Sequence, residues 1–437
     1  MKKKEKKYRD RKCEFMETLT DEQQDEFAEI ETRCSMRAFT RAYIIAMISF
    51  TIIFILVNFV VSPLIQKSSL RGNIDETVLL GSHEQEKMKV LVDTLKKYYY
   101  EDVEDADIQE GIYAGILSAA NDPYTCYYTR EEVKELNESL EGVFYGIGVT
   151  MQADSESGYI KVVSILDESP ASKCDIKEND IVIKVDGENV YGMELNDVVK
   201  KIRGEEGTSV VLTLLRNDRE IETQITRGKV ETPTVKYEKE EGDIAYIRIS
   251  EFDDVTAEQF KDAKEEMLHD NAKGLILDLR GNPGGSIDAV VSVANDILPA
   301  GLVVYTEDKN GNRKEYTCDG QNEIKIPIIV LVDGNSASAA EILAGAIKDY
   351  EKGVLLGTTT FGKGIVQSIM QLKDGSAVKI TVSKYYTPKG VNIHKTGIEP
   401  DVEVKFDSAA YLEDETDNQL EEALKRMKDT INKEGGL

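Results

Sequence analysis

Ser338 and Lys363 are the residues whose types and setting could carry out covalent chemistry. Ser338 follows an apolar run at 328–332 and the turn Asp333-Gly334-Asn335, and it opens a helical segment with Ile342, Leu343, Ala346 and Ile347 on one face. A helix start presents unpaired N–H groups and the positive end of the dipole. A serine there would attack a carbonyl beside ready-made oxyanion donors. The competing reading is structural, since Ser336 and Ser338 are both good N-cap residues. A serine hydroxyl also needs a base. The chain has three histidines, His83, His269 and His394, and none accompanies a G-x-S-x-G elbow. A triad through His394 stays open. Lys363 offers another base: it lies between Gly362 and Gly364, among Phe361, Ile365 and Val366. A lysine desolvated by such neighbours can lose its proton and accept one from serine, whereas a lysine taken singly is usually an exposed loop residue. Gly357–Lys363 also fits the opening of a P-loop. Position 364, however, is Gly where a magnesium-holding Ser or Thr belongs, and the following IVQSIMQL reads as a strand rather than a helix.

Three apolar runs, 275–279, 328–332 and 354–357, are each followed by a loop, and the first two loops lead into helical segments. That pattern predicts parallel strands whose carboxyl-end loops converge, the usual ligand side of an open α/β sheet. The first loop reads Arg280-Gly281-Asn282-Pro283-Gly284-Gly285, the second ends at Ser338, and the third holds Lys363.

Upstream, 140–228 is strand-rich. It opens with Tyr145-Gly146-Ile147-Gly148 and continues through SPASKCDIKENDIVIKVDGENV. This order resembles a PDZ domain, which holds an extended peptide on a sheet edge and its terminal carboxylate on backbone N–H groups of such a glycine loop. Apolar spacing predicts helices over 84–98 and 106–120, the latter through Ile108, Ile112, Ile116 and Leu117. From 42 to 65 no residue is charged, which is long enough to span a bilayer. Arg33, Arg37 and Arg41 flank its N-terminal side, placing the tail in the cytoplasm and the remainder outside, and no A-x-A site follows. The formal charge of −27, from 81 acidic and 54 basic residues, disfavours nucleic acid as a partner. Five cysteines form no C-x-x-C pair and read as small buried apolar residues, and nothing suggests a metal or cofactor.

The motifs GILSAANDPYTCYYT, LILDLRGNPGG, VDGNSASAAEI, TFGKGIVQ and GIEPDVEV together resemble the carboxyl-terminal processing peptidases, or tail-specific proteases, from about residue 84 onward. The resemblance implies that Ser338 is the nucleophile, Lys363 the general base and Gln367 its support. It places the oxyanion donors on the backbone N–H of Ala339 and of Gly284, with Gly285 as the alternative, and it expects no cofactor. It also implies protein or peptide substrates with exposed C-termini, captured by the PDZ domain, and a homodimer through terminal helices. Arg203, after the PDZ helix, is either a coupling residue between PDZ and core or a solvated helix-end arginine. The expected architecture is a multidomain α/β (α+β) chain: cytoplasmic tail 1–41, transmembrane anchor 42–65, helical region 66–139, PDZ-like domain 140–228, protease core 229–415 and C-terminal helix 416–437. The rival expectation is a catalytically silent membrane scaffold that binds C-terminal peptides. It has no use for Ser338, Lys363 and Gln367 together.

Overall fold

The computed structural model describes residues 81–154 and 157–434. The expected tail and membrane span, with Cys13 and Cys34, lie outside the described residues. Among the described residues no helix is long and apolar enough to cross a membrane.

The chain divides into two compact units, residues 1–103 and 104–437. The described part of the first holds α1 (Ser82–Tyr98), which buries none of its residues. The second begins with α2 (Asp105–Ser118), β1 (Cys126–Tyr128) and α3 (Arg130–Glu141). The apolar positions Ile112 and Ile116, whose spacing predicts α2, remain exposed. The spacing specifies a helix and leaves its partner unspecified. The sequence reading did not foresee α3. Thr129 caps it with a complete capping box to Glu132, and Gly142 ends it in the left-handed conformation at φ 65°.

The strand-rich segment comprises β2 (Val143–Gly146), β3 (Val149–Ala153), β4 (Ile160–Ile165), β5 (Ile181–Val185), β6 (Glu188–Asn189), α4 (Leu195–Ile202), β7 (Ser209–Arg216), β8 (Arg219–Thr226) and β9 (Gly228–Glu231). Its sheet runs β3-β4-β5-β7-β8, with β6 on β5, and β2 pairs separately with β9. Val162, Val182, Leu212 and Leu214 from the sheet meet Val198 and Ile202 of α4 in a core of its own. Asp180 is 1% exposed and accepts hydrogen bonds from the Lys177 N–H at 2.8 Å and from Nε and Nη2 of Arg216 at 2.7 Å each. Arg216→Ala would leave that carboxylate buried without its cation. It is expected to destabilise this domain by about 3 kcal/mol in urea unfolding; a variant as stable as the parent would mean the pair is energetically idle.

The remaining chain forms β10 (Val235–Glu240), β11 (Ile244–Ile249), α5 (Thr256–His269), β12 (Gly274–Asp278), α6 (Ile287–Asn295), β13 (Gly301–Asp308), β14 (Arg313–Cys318), β15 (Ile328–Val332), α7 (Ala339–Asp349), β16 (Val354–Gly357), β17 (Ile365–Gln371), β18 (Ala377–Tyr386), β19 (Val402–Glu403), α8 (Ser408–Asp414) and α9 (Asn418–Glu434). The main sheet runs β10-β11-β12-β15-β16-β19, and β11 through β19 are parallel. Helices cover both faces, which is why the central strands β12, β15 and β16 are almost entirely apolar. Leu275, Leu277, Val330 and Val332 pack with α5, α6 and α7, while Ile276, Ile329 and Leu331 pack with Ala423 and Met427 of α9. Helix α7 is buried around its whole circumference from Ala339 to Ile347, not on one face alone. The Asp-Leu-Arg of the first loop ties the sheet to α9. Asp278, fully buried, accepts from the Tyr246 hydroxyl at 2.7 Å and from Arg280 at 2.7 Å, and Arg280 also reaches Asp417 at 2.8 Å. A second, antiparallel sheet runs β1-β18-β13-β14, with β17 on the other edge of β18. The P-loop reading fails here, because the segment after Lys363 is strand β17. Of the described cysteines Cys318 is buried, but Cys126 and Cys174 are only half-buried, and all three are free thiols.

Candidate active site

The loops after β12, β15 and β16 leave the carboxyl ends of three adjacent parallel strands and are stitched to one another. The Gly281 N–H donates to Asp333 Oδ1 at 3.0 Å, Ser336 Oγ donates to the Leu279 carbonyl at 2.8 Å, and the Ala337 N–H donates to the Asn282 carbonyl at 2.9 Å. The Phe361 N–H donates to the Ser336 carbonyl at 3.0 Å, joining the third loop to the second. Ser336 is thus the structural serine of the pair, fully buried and committed.

Ser338 has φ 54° and ψ −113°. Such a backbone is unfavourable for a residue with a Cβ, and strain of this kind persists where the surroundings enforce it. Gly284 supplies part of that enforcement. At φ 107° it lies so close that a Cβ would come within 2.6 Å of Ser338 Cβ and 2.9 Å of the Ala339 nitrogen. Ala339 is the first residue of α7, so its N–H has no intrahelical acceptor. The two glycines differ in what their N–H groups do. That of Gly284 is donated to Asn282 Oδ1 at 2.8 Å, whereas Gly285 lines the cleft and makes no such bond.

The cleft has a volume of about 520 Å³ and brings together Ser338, Lys363 and Gln367 with Gly285, between apolar walls that include Leu136 and Leu140 of α3 and Ile287 of α6. Lys363 is half-buried. Burial, then the nearby Lys379 ammonium, push its pKa down from the ordinary lysine value against the opposing pull of Glu341 and Asp122. Gly362 and Gly364 allow its segment to pass close to other backbone: a Cβ at either would come within 2.9 Å of the Gly397 nitrogen or 2.6 Å of the His394 nitrogen. Gln367 Nε2 donates to Thr381 Oγ1 at 3.3 Å.

The histidines do not join this group. His269 is exposed at the end of α5 and His83 is exposed on α1. His394 stands behind Gly364, outside the cleft lining, and burial lowers its pKa. In the PDZ-like unit, Tyr145 and Gly146 end β2 and Ile147-Gly148 connects it to β3, the edge strand of its sheet. Ile147 is buried, and Gly148 at φ 77° packs where a Cβ would strike Ser169. Arg203 stacks 4.8 Å over the Phe144 ring and, with Tyr145, Val199, Glu251 and Asp253, lines a cavity of about 880 Å³.

One residue central to the site was not singled out from the sequence. Glu341 is fully buried and accepts four hydrogen bonds: Oε2 from the N–H groups of Ser338 and Lys363 at 2.9 Å each, Oε1 from Thr360 Oγ1 at 2.6 Å and the Gly362 N–H at 2.7 Å. A single carboxylate therefore ties the Ser338 segment to the Lys363 segment. The sequence signal was present as Ser338-x-x-Glu341, the spacing of a capping box, in an otherwise apolar helix.

Comparison with known proteins identifies the family. Residues 243–404 match the model of "Peptidase family S41", residues 161–216 that of "PDZ domain" and residues 53–132 that of "Activating protease CtpB N-terminal domain". The chain is 36% identical over 347 residues to "Carboxy-terminal processing protease CtpA" of Bacillus subtilis (strain 168), covering 79% of this chain and 74% of that protein. It is 39% identical over 324 residues to "Probable CtpA-like serine protease" of Staphylococcus haemolyticus (strain JCSC1435), covering 74% of this chain and 65% of that protein's length. Among solved structures, "Photosystem II D1 C-terminal processing protease" aligns with 32% identity and a TM-score of 0.43, over 72% of this chain and 86% of its own. The chain belongs to the peptidase S41 family, as a serine-type carboxy-terminal processing peptidase with a PDZ domain.

Proposed function

We propose that this chain is a membrane-anchored endopeptidase that captures the C-terminal tails of proteins on its PDZ domain and cleaves them through a Ser338–Lys363 dyad. The observation that carries this reading is the cleft itself, where a strained Ser338 at a helix start and a partly desolvated lysine face the same space. Neutral Lys363 takes the Ser338 Oγ proton as Oγ bonds to the scissile carbonyl carbon. The developing oxyanion is received by the N–H groups of Ala339 and Gly285. Gly285 is preferred to Gly284 because the Gly284 N–H is already donated to Asn282. The protonated lysine then gives its proton to the leaving amine, and Gln367 lines the cleft beside it. The edge position of β3 next to the glycine turn suits addition of a substrate tail as an extra strand. Anchoring rests on the uncharged run 42–65, and the exposed apolar residues of α1 and α2 favour a homodimer through the terminal helices.

The test is cleavage of an unstructured peptide with an apolar C-terminus by the full-length chain, read by mass spectrometry. The parent protein should produce fragments and Ser338→Ala none. Fragments from Ser338→Ala would place the nucleophile elsewhere, and binding without cleavage by the parent would favour the silent scaffold.

A further inference from the structure

Lys363 has a neighbour that the cleft alone does not reveal. Its Nζ lies 4.7 Å from the centroid of the Tyr124 ring, over the ring face. Tyr124 belongs to the segment Asn121–Thr125, which precedes β1 and is far from the dyad in sequence. The residues on either side of it are pinned to the strands that carry the dyad lysine's support. Asp122 Oδ2 accepts from Thr381 Oγ1 at 2.6 Å and from Thr125 Oγ1 at 2.7 Å, and its Oδ1 accepts from the Tyr124 N–H at 3.1 Å. Thr125 Oγ1 in turn accepts from the Thr381 N–H at 3.2 Å. Thr381 is the residue to which Gln367 donates. Beyond this loop, β1 pairs with β18 from Cys126 opposite Lys379 to Tyr128 opposite Ala377, and Arg130 donates to the Asp374 carbonyl in the β17–β18 turn. The loop that carries the ring is thereby held from both sides.

We propose that Tyr124 is a positioning residue for the general base, its ring seating the protonated form of Lys363. The inference rests on the dyad reading above. An aromatic face attracts an ammonium and not a neutral amine. Lys363 becomes an ammonium when it takes the proton of Ser338, so the ring favours the proton transfer. The same attraction raises the pH at which the resting lysine loses its proton. The ring therefore speeds the step above that pH and restrains it below. The charges that face Lys363 are Lys379 on β18, Glu341 on α7 and Asp122 on the same loop as Tyr124. Asp254 and Asp288 stand in the cleft wall. None of these is altered by changing the ring, so its contribution can be isolated.

The experiment uses the full-length chain with Tyr124 kept or changed to Phe, Leu or Trp. In a Ser338→Ala background, the titration of Lys363 is followed by ¹³Cε NMR, with Lys363→Ala used to assign the resonance. Tyr124→Phe keeps the ring face and should titrate as the parent does. Tyr124→Leu should titrate lower by about half a unit to one unit, since the ring's preference for the cation is lost. Should Leu prevent folding, Trp decides, because the stronger ring should move the titration upward. In the Ser338 enzyme, the Leu variant's kcat/KM profile should cross that of the parent, with its acid limb at lower pH and its alkaline plateau about threefold lower. An unmoved titration in both Leu and Trp, or a Phe variant that behaves like Leu, overturns the proposal. The NMR readout does not depend on cleavage, so failure of the dyad reading would appear separately, as activity that survives Lys363→Ala.

Discussion

Lys363→Ala is expected to lower kcat/KM for peptide cleavage by about three to four orders of magnitude, leaving peptide binding by the PDZ domain intact. A serine hydroxyl is a poor nucleophile until its proton has somewhere to go, and among the described residues no histidine lines the cleft to replace the lysine. Lys363→Arg should be nearly as damaging, because a guanidinium stays charged across the accessible pH range and cannot accept a proton. The same role fixes a pH dependence. Burial and the Lys379 charge favour neutral Lys363 and push its pKa below the ordinary lysine value. Only the neutral amine is a base, so kcat/KM should climb about tenfold per pH unit below that pKa and level off above it. Lys379→Met, which removes the neighbouring positive charge, should move the rise to higher pH. A profile flat from acidic to alkaline pH, or an Arg variant with parental activity, would remove Lys363 from the mechanism.

Glu341→Gln should cost about 2–4 kcal/mol in stability and about a hundredfold in kcat. The carboxylate is fully buried and accepts four bonds, from Ser338, Thr360, Gly362 and Lys363. An amide has one acceptor oxygen, so its NH₂ group must turn toward two donors and leave them buried without partners. The kinetic loss follows because the unpaired donors belong to the serine and lysine segments, and a misplacement of about 1 Å between reacting groups is enough for such a factor. Glu341→Ala leaves all four donors unsatisfied and should be the less stable of the two. Denaturant unfolding and steady-state kinetics measured side by side decide this. Parental kcat in a destabilised Gln variant would mean that Glu341 braces the fold without aligning the dyad.

The sequence by itself determined the elements that carry the chemistry. Short, largely apolar runs at 275–279, 328–332 and 354–357, each followed by a loop, fit strands covered on both faces. These are local constraints, written in adjacent residues. The tertiary structure alone decided which atoms meet. Of two adjacent glycines, Gly284 has its N–H donated to Asn282 while Gly285 lines the cleft, a distinction that depends on how the loop curls rather than on its composition. Ser336 and Ser338 are equivalent as cap residues in sequence, yet one hydroxyl is tied to the Leu279 carbonyl and the other residue lines the cleft. Likewise, Glu341 reads as half of a capping box, but its contacts to Thr360, Gly362 and Lys363 exist because β15 and β16 are neighbours in the sheet. The contact between Tyr124 and Lys363 depends on the pairing of β1 with β18, across more than half the chain. Sequence periodicity reports what each segment needs to bury. It carries no information about which distant partner satisfies it, and in this protein Ser338, Lys363, Gln367 and Tyr124 are brought together by such distant pairings.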